Sequence, residues 1–191
     1  MIAGKIASGW GPPMRHRILA TIVEGQGFDG VDIDYEYFVT QDVAAPFLSK
    51  LTTDLQELMP AHKVVSHAPM DRDIDRGDVY YELLKSISSS VDYVLPQYYN
   101  GFISVKNDPE PAYTHFADLA NDMFGGDASK VIFGFCTGWA NQFCTNGTEA
   151  TDIMRTITDR FPINGGAFFW AGAGDRGNVW SEPAREFQIA S

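Results

Sequence analysis

Basic residues are scarce in this chain. Fourteen Lys and Arg stand against 25 Asp and Glu, which leaves a formal net charge of −11 at pH 7 over 191 residues. Such a surface repels phosphate backbones and anionic lipids, so the composition argues against nucleic acid and membrane partners and suits a neutral substrate handled by acidic groups. No apolar run is long enough to cross a bilayer. The first residues, Met1 to Ser8, lack the extended apolar core of a secretory signal. Cysteine is almost missing. Its two copies, Cys136 and Cys144, permit either a disulfide across a loop or two free thiols with Cys136 in the core, and the spacing does not choose between them. No cysteine or histidine spacing fits a metal and no glycine-rich phosphate loop follows a strand, so neither a metal nor a cofactor is expected. Internal repeats and low-complexity tracts are also lacking.

What the chain does have is enough apolar material for one packed domain, 1–191, with 45% hydrophobic and 13% aromatic residues. Helical spacing of apolar residues predicts helices over Met14–Glu24, from about Phe47 to a stop near Pro60, and over Tyr80–Ile87, Ala112–Phe124 and Thr151–Phe161, with a short one around Pro183–Ile189. Between them lie apolar runs that read as strands: Lys63–Pro69, Val91–Asn100, Lys130–Cys136 and Gly165–Ala171, with a weaker one at Lys5–Ser8. Alternation of this kind implies a parallel sheet, and strands apolar along their length are expected to be covered on both faces. Asn146-Gly147-Thr148 is a glycosylation sequon in the loop that holds Cys144; with the two cysteines it points to a protein secreted in its native context.

One stretch, Gly27 to Tyr37, breaks the apolar rule. At period two, Asp32, Asp34 and Glu36 fall on one face of a strand, and Val31, Ile33 and Tyr35 on the other. Three carboxylates on one face repel one another and are costly to bury, so stability alone does not explain them. Gly30 marks a place where another backbone or a ligand comes close. Asp29 is out of phase with the other acids, and its expected role is structural.

This stretch resembles the signature of glycoside hydrolase family 18, the chitinases and their relatives. The pattern Asp-x-x-Asp-x-Asp-x-Glu is filled here by Asp29, Asp32, Asp34 and Glu36. Gln97-x-Tyr99-Asn100 is similar to the Gln-x-Tyr-Asn of the family's sixth strand in the branch containing plant class III chitinases. Ala68-Pro69 resembles the end of the fifth strand, Trp170 the tryptophan closing the eighth, and Ser8-Gly9-Trp10-Gly11 the turn after the third. The resemblance implies an α/β fold of the (β/α)8 TIM-barrel type, with the site at the carboxyl ends of the strands. Only about six βα units can be placed, corresponding to strands 3–8. The expectation is therefore an incomplete barrel, either a fragment or one that closes by self-association.

The resemblance also implies a chemistry. Family 18 is substrate-assisted, so one protein carboxyl donates the proton and the substrate's own N-acetyl oxygen is the nucleophile. By motif position Glu36 is the general acid and then the base. Asp34 orients the acetamido group, and Asp32 shares a proton with Asp34. Close spacing couples the carboxyls, which keeps Glu36 protonated near neutral pH. Tyr99 is implied to donate its hydroxyl to the acetamido oxygen. Gln97, Asn100 and Trp170 are candidate sugar contacts, and Met70, Trp10 and Trp139 either line subsites or pack in the core. His67 is expected to be a satisfied core histidine. The implied substrate is chitin or another oligosaccharide containing N-acetylglucosamine. An endo-β-N-acetylglucosaminidase acting on N-glycans and an inactive chitin-binding domain are the alternatives.

Overall fold

The computed structural model describes residues 12–36, 41–99, 101, 103–137 and 143–185. Among these, five strands alternate with six helices. The strands are β1 (Gly30–Ile33), β2 (Val64–His67), β3 (Tyr93–Val94), β4 (Phe133–Cys136) and β5 (Ala167–Trp170). The helices are α1 (Pro12–Gln26), α2 (Gln41–Leu58), α3 (Val79–Ser86), α4 (Glu110–Phe124), α5 (Gly147–Arg160) and α6 (Ser181–Ala184). β1, β2 and β3 pair in parallel, as do β4 and β5. Single-residue bridges, Val94 with Val131 and Gln97 with Gly134, link the two ribbons in the spatial order β1-β2-β3-β4-β5. A parallel neighbour is reached only by a crossover, and the intervening helices supply it. No described helix is long and apolar enough to cross a membrane.

The pattern of apolar residues explains the packing. On α2, Leu48, Leu51 and Leu55 recur at helical spacing and are all buried, while the same helix packs on α1, α3 and β2. Around Phe133 of β4 stand Tyr98 at 4.5 Å, Phe135 at 5.1 Å and Phe116 of α4 at 6.1 Å between ring centroids. Each such ring, fully buried, stabilises the fold by roughly 1.5–3 kcal/mol relative to exposure. This cluster also orients the site. Tyr98 points into it, so alternation turns Gln97 and Tyr99 to the opposite side.

Several elements differ from the sequence-based expectations for physical reasons. The run 91–100 keeps a ladder only at Tyr93–Val94, because Pro96 has no N–H to donate; single bridges from Gln97 to Met70 and Gly134 carry the strand direction onward. β1 ends its ladder at Ile33, with Asp34 to Glu36 continuing past it. α5 starts at Gly147, earlier than apolar spacing indicates. Asn146 caps it, accepting from Glu149 N at 2.9 Å, while the Glu149 carboxylate accepts from Asn146 N at 2.8 Å, a capping box. β5 is not covered on both faces as expected: Ala167 and Trp170 are exposed, as befits an outer strand. The weak strand Lys5–Ser8, Trp10 and the final residues of the last expected helix lie outside the described residues.

Candidate active site

The acidic face lies where strand geometry places it. Asp32, Asp34 and Glu36 line one cleft of about 350 Å³, together with Gln97, Tyr99 and Trp170. The close approach expected at Gly30 is to the neighbouring backbone: a Cβ there would fall 2.0 Å from the carbonyl oxygen of Val64. Asp29, exposed, contributes through its own carbonyl, which accepts from Val64 N at 2.9 Å. Its place is at the entry of β1, so that Asp29 and Gly30 together set the pairing with β2. Gly134 permits a similar approach on the other side, where a Cβ would lie 2.3 Å from Pro96 O.

The three carboxyls differ in environment. Asp32 lies opposite Ser66 in the β1–β2 register, and the Ser66 hydroxyl donates to Asp32 Oδ1 at 2.7 Å. Although Asp32 leaves surface open to solvent, the protein atoms crowding its carboxyl raise its pKa, and the Ser66 bond offsets part of that rise. Asp34 is pushed up to about 6, by burial first and then by the charges of Glu36 and Asp32. A carboxyl–carboxyl hydrogen bond with Glu36 adds to the rise, and a bond from Gln97 opposes it. The raised proton affinity is thus resolved on Asp34. Because the two acids are hydrogen-bonded, the proton belongs to the pair.

Gln97 is the hub. Its Nε2 donates to Asp34 Oδ1 at 3.0 Å, Glu36 Oε1 at 2.9 Å and Ala68 O at 2.8 Å, and the residue is only 3% exposed. Two amide protons shared among three acceptors draw the acids together. Expected as a sugar contact, this amide nitrogen is instead turned onto the carboxylates. Tyr99 is 5% exposed, and burial, followed by the charges of Asp34, Glu36 and Asp32, raises its pKa, so its hydroxyl stays protonated and able to donate. Trp170 is 40% exposed and presents a large apolar surface to the cleft; its peptide bond to Ala171 is cis. Met70, by contrast, is buried and forms no part of the cleft wall; its backbone bridges to Gln97. Asn100 and Trp139 lie outside the described residues.

Cys136 and Cys144 are joined in a disulfide, which decides the alternative left open by their spacing. Tyr99 packs in one small apolar cluster with both cysteines, against Phe168. His67 is buried, with Nδ1 2.8 Å from the Tyr80 hydroxyl and Nε2 2.8 Å from the Thr52 hydroxyl, and burial lowers its pKa to about 3. As the neighbour of Ile33 in the register, this neutral histidine braces the strand that carries the acids.

Sequence reasoning missed Ser66, Phe168 and Asp73. Ser66 was detectable, since it lies on β2 two residues before Ala68. Asp73 sits in a 3₁₀ turn after β2, buried, with a pKa raised to about 6 by desolvation, and Glu36 is among the negative charges acting on it. Nothing in the local sequence pattern pairs it with Glu36. Among the described residues no group of His, Cys, Asp and Glu side chains is arranged to hold a metal ion. A larger hollow of about 650 Å³ lies beside α4, bordered by Asp75, Arg76, Glu110 and Asp118. Arg76 pairs there with Asp118, and Glu110 with Arg160, whereas the smaller cleft holds the coupled acids.

The fold, parallel strands crossed by helices, is chitinase-like, shared with solved structures of glycoside hydrolase family 18. The chain is similar to a GH18 chitinase from Pseudoalteromonas aurantia, with a TM-score of 0.79 and 20% identity over 93% of this chain and 68% of that one. It is similar to putative Chitinase A from Streptomyces coelicolor, with a TM-score of 0.73 and 16% identity over 98% of this chain and 71% of that one. It is also similar to a fungal endo-β-N-acetylglucosaminidase of family 18, with a TM-score of 0.66 and 14% identity over 95% and 68% of the two chains. At these identities the likeness is one of fold. No protein-family model matches the chain, and no curated protein does.

Proposed function

We propose that the chain is a retaining glycoside hydrolase that cleaves β-1,4-linked N-acetylglucosamine polymers by substrate-assisted catalysis. The observation that carries this reading is the coupled pair Asp34–Glu36, held by one amide and holding a proton at about pH 6. In the proposed cycle Glu36 gives its proton to the glycosidic oxygen as the C1–O bond breaks. The acetamido oxygen bonds to C1 and an oxazolinium ion forms. Asp34 accepts a hydrogen bond from the acetamido N–H and balances the positive charge, with Asp32 behind it. The Tyr99 hydroxyl donates to the acetamido oxygen, and Trp170 supports the apolar face of the sugar ring. Glu36, now ionised, takes a proton from water, whose oxygen attacks C1 from the side the leaving group vacated as the bond from C1 to the acetamido oxygen breaks, so the acetamide is restored and configuration is retained.

The same reading takes the architecture as part of a (β/α)8 barrel, close in its Gln-x-Tyr-Asn motif to class III chitinases, and the natural setting as extracellular. Chitin or a related oligosaccharide is the proposed partner. The likeness to a solved endo-β-N-acetylglucosaminidase favours N-glycans as a second substrate, which would use the same acids. A purely sugar-binding role is disfavoured because Glu36 is in place. Calorimetry with a thiazoline analogue of the oxazolinium ion tests the mechanism. Binding to the wild type that weakens in Asp34→Asn is expected; equal affinity for the two proteins would remove substrate assistance from the account.

A further inference from the structure

We infer that Asn146 is an N-glycosylation site on the end of the molecule that bears the cleft. The sequence Asn146-Gly147-Thr148 meets the acceptor pattern, and the fold leaves it usable. Asn146 and Thr148 are both exposed, while Gly147 between them is buried. A Cβ on Gly147 would fall 2.4 Å from Trp180 O, so a glycine in the middle position lets the sequon lie against the Trp180 turn with its two outer side chains in solvent.

The two ends of the Asn146 amide do different things. Oδ1 accepts from Glu149 N and caps α5. Nδ2 has no partner among the described residues. A glycosyl bond forms at Nδ2 and leaves Oδ1 an acceptor, so glycan and cap coexist. The donor is a lipid-linked oligosaccharide diphosphate. Nδ2 bonds to C1 of its first sugar, the C1–O bond to the diphosphate breaks, the lipid diphosphate leaves with the electron pair, and the amide gives up one proton.

An independent observation agrees with passage through an oxidising compartment. Cys136 and Cys144 form a disulfide two residues before the sequon, and disulfides persist in oxidising, secretory compartments. The site's position follows from topology. α5 comes after β4, so its first turn stands at the carboxyl end of the sheet, and Cys144 packs with Tyr99 of the cleft. Asn146 itself is not part of the cleft wall. A glycan there leaves the cleft itself unfilled.

The test is secretion of the full chain from a eukaryotic host, as wild type, Asn146→Asp and Thr148→Ala. Asp is as good a cap as Asn, so the first variant keeps α5 capped while losing the acceptor nitrogen. The second keeps the asparagine and loses the sequon. Peptide mass spectrometry after glycosidase release in heavy-oxygen water reads occupancy at residue 146 directly. The expected result is an occupied Asn146 in the wild type, a gel shift that the glycosidase removes, and loss of both in each variant. Secreted, disulfide-bonded wild type with an unmodified Asn146, or equal occupancy in Thr148→Ala, would overturn the inference.

Discussion

The Nε2 atom of Gln97 lies 2.9 Å from Glu36 Oε1 and 3.0 Å from Asp34 Oδ1, so a single amide from beyond β3 holds two acids that arrive from beyond β1. The same nitrogen donates to Ala68 O at the end of β2. Three strand ends thus meet at one side chain, and the separation of the acids is set by the sheet.

Gln97→Leu removes these donors while keeping an apolar side chain of similar bulk. Hydrogen bonds to charged groups contribute about 1.5–3 kcal/mol each, so kcat is expected to fall by about 10- to 10²-fold with a smaller change in KM. Since the Gln97 bond holds the Asp34 pKa down, its loss moves the basic limb of the pH–rate profile upward. Steady-state kinetics from pH 5 to 8 checks this. A lower melting temperature with an unmoved limb would reduce Gln97 to a packing role.

The raised Asp34 pKa sets a pH window for stability. Its folded value, about 6, exceeds the ordinary 3.8, so between these the folded state binds more protons than the unfolded one. Stability therefore falls as pH rises through that interval. Asp34→Asn, which resembles the protonated acid, should melt close to the wild type near pH 4 and above it near pH 7. Calorimetric melts at both values check the sign. A gap that narrows or reverses toward pH 7 would mean that Asp34 is ionised at no cost in the fold.

The Cys136–Cys144 bridge closes a short loop, with a sequence separation of 8. Loop entropy gives a stabilisation of roughly 2–3 kcal/mol. Because Tyr99 packs on both cysteines, reduction is expected to lower the denaturation midpoint and also kcat. Urea titration and kinetics with and without reductant test both effects. Unchanged turnover in fully reduced protein would separate the bridge from Tyr99.

The outer edges of β1 and β5 have no ladder partner among the described residues. Unpaired edge groups are a template for another chain, and the chain is expected to self-associate. Light scattering over a concentration series should show species above the monomer mass. A monodisperse monomer with a cooperative, high melting transition would show that these edges are protected.

Much of this arrangement could be read in the sequence because it depends on local period. The alternation at Asp32, Asp34 and Glu36, and at Gln97 and Tyr99, assigns faces without knowledge of the fold, and the apolar repeat of Leu48, Leu51 and Leu55 assigns α2. Contacts between distant elements could not be read that way. The inward turn of the Gln97 amide depends on where Ala68 O falls in the neighbouring strand, and the nearness of Asp73 to Glu36 depends on a 3₁₀ turn. Met70 belongs with these: its place at a strand end left lining a subsite and packing both open, and the fold buries it.

The most direct test of the account is hydrolysis of a fluorogenic chitooligosaccharide by the wild type and by Glu36→Gln, with folding and sugar binding measured on the same samples. Loss of the proton donor should cost at least ~10²-fold in rate, with the melting temperature and oligosaccharide affinity nearly unchanged. Turnover in Glu36→Gln equal to the wild type, or a folded wild type that binds the oligosaccharide and never cleaves it, would contradict the assignment of this cleft as a hydrolytic site.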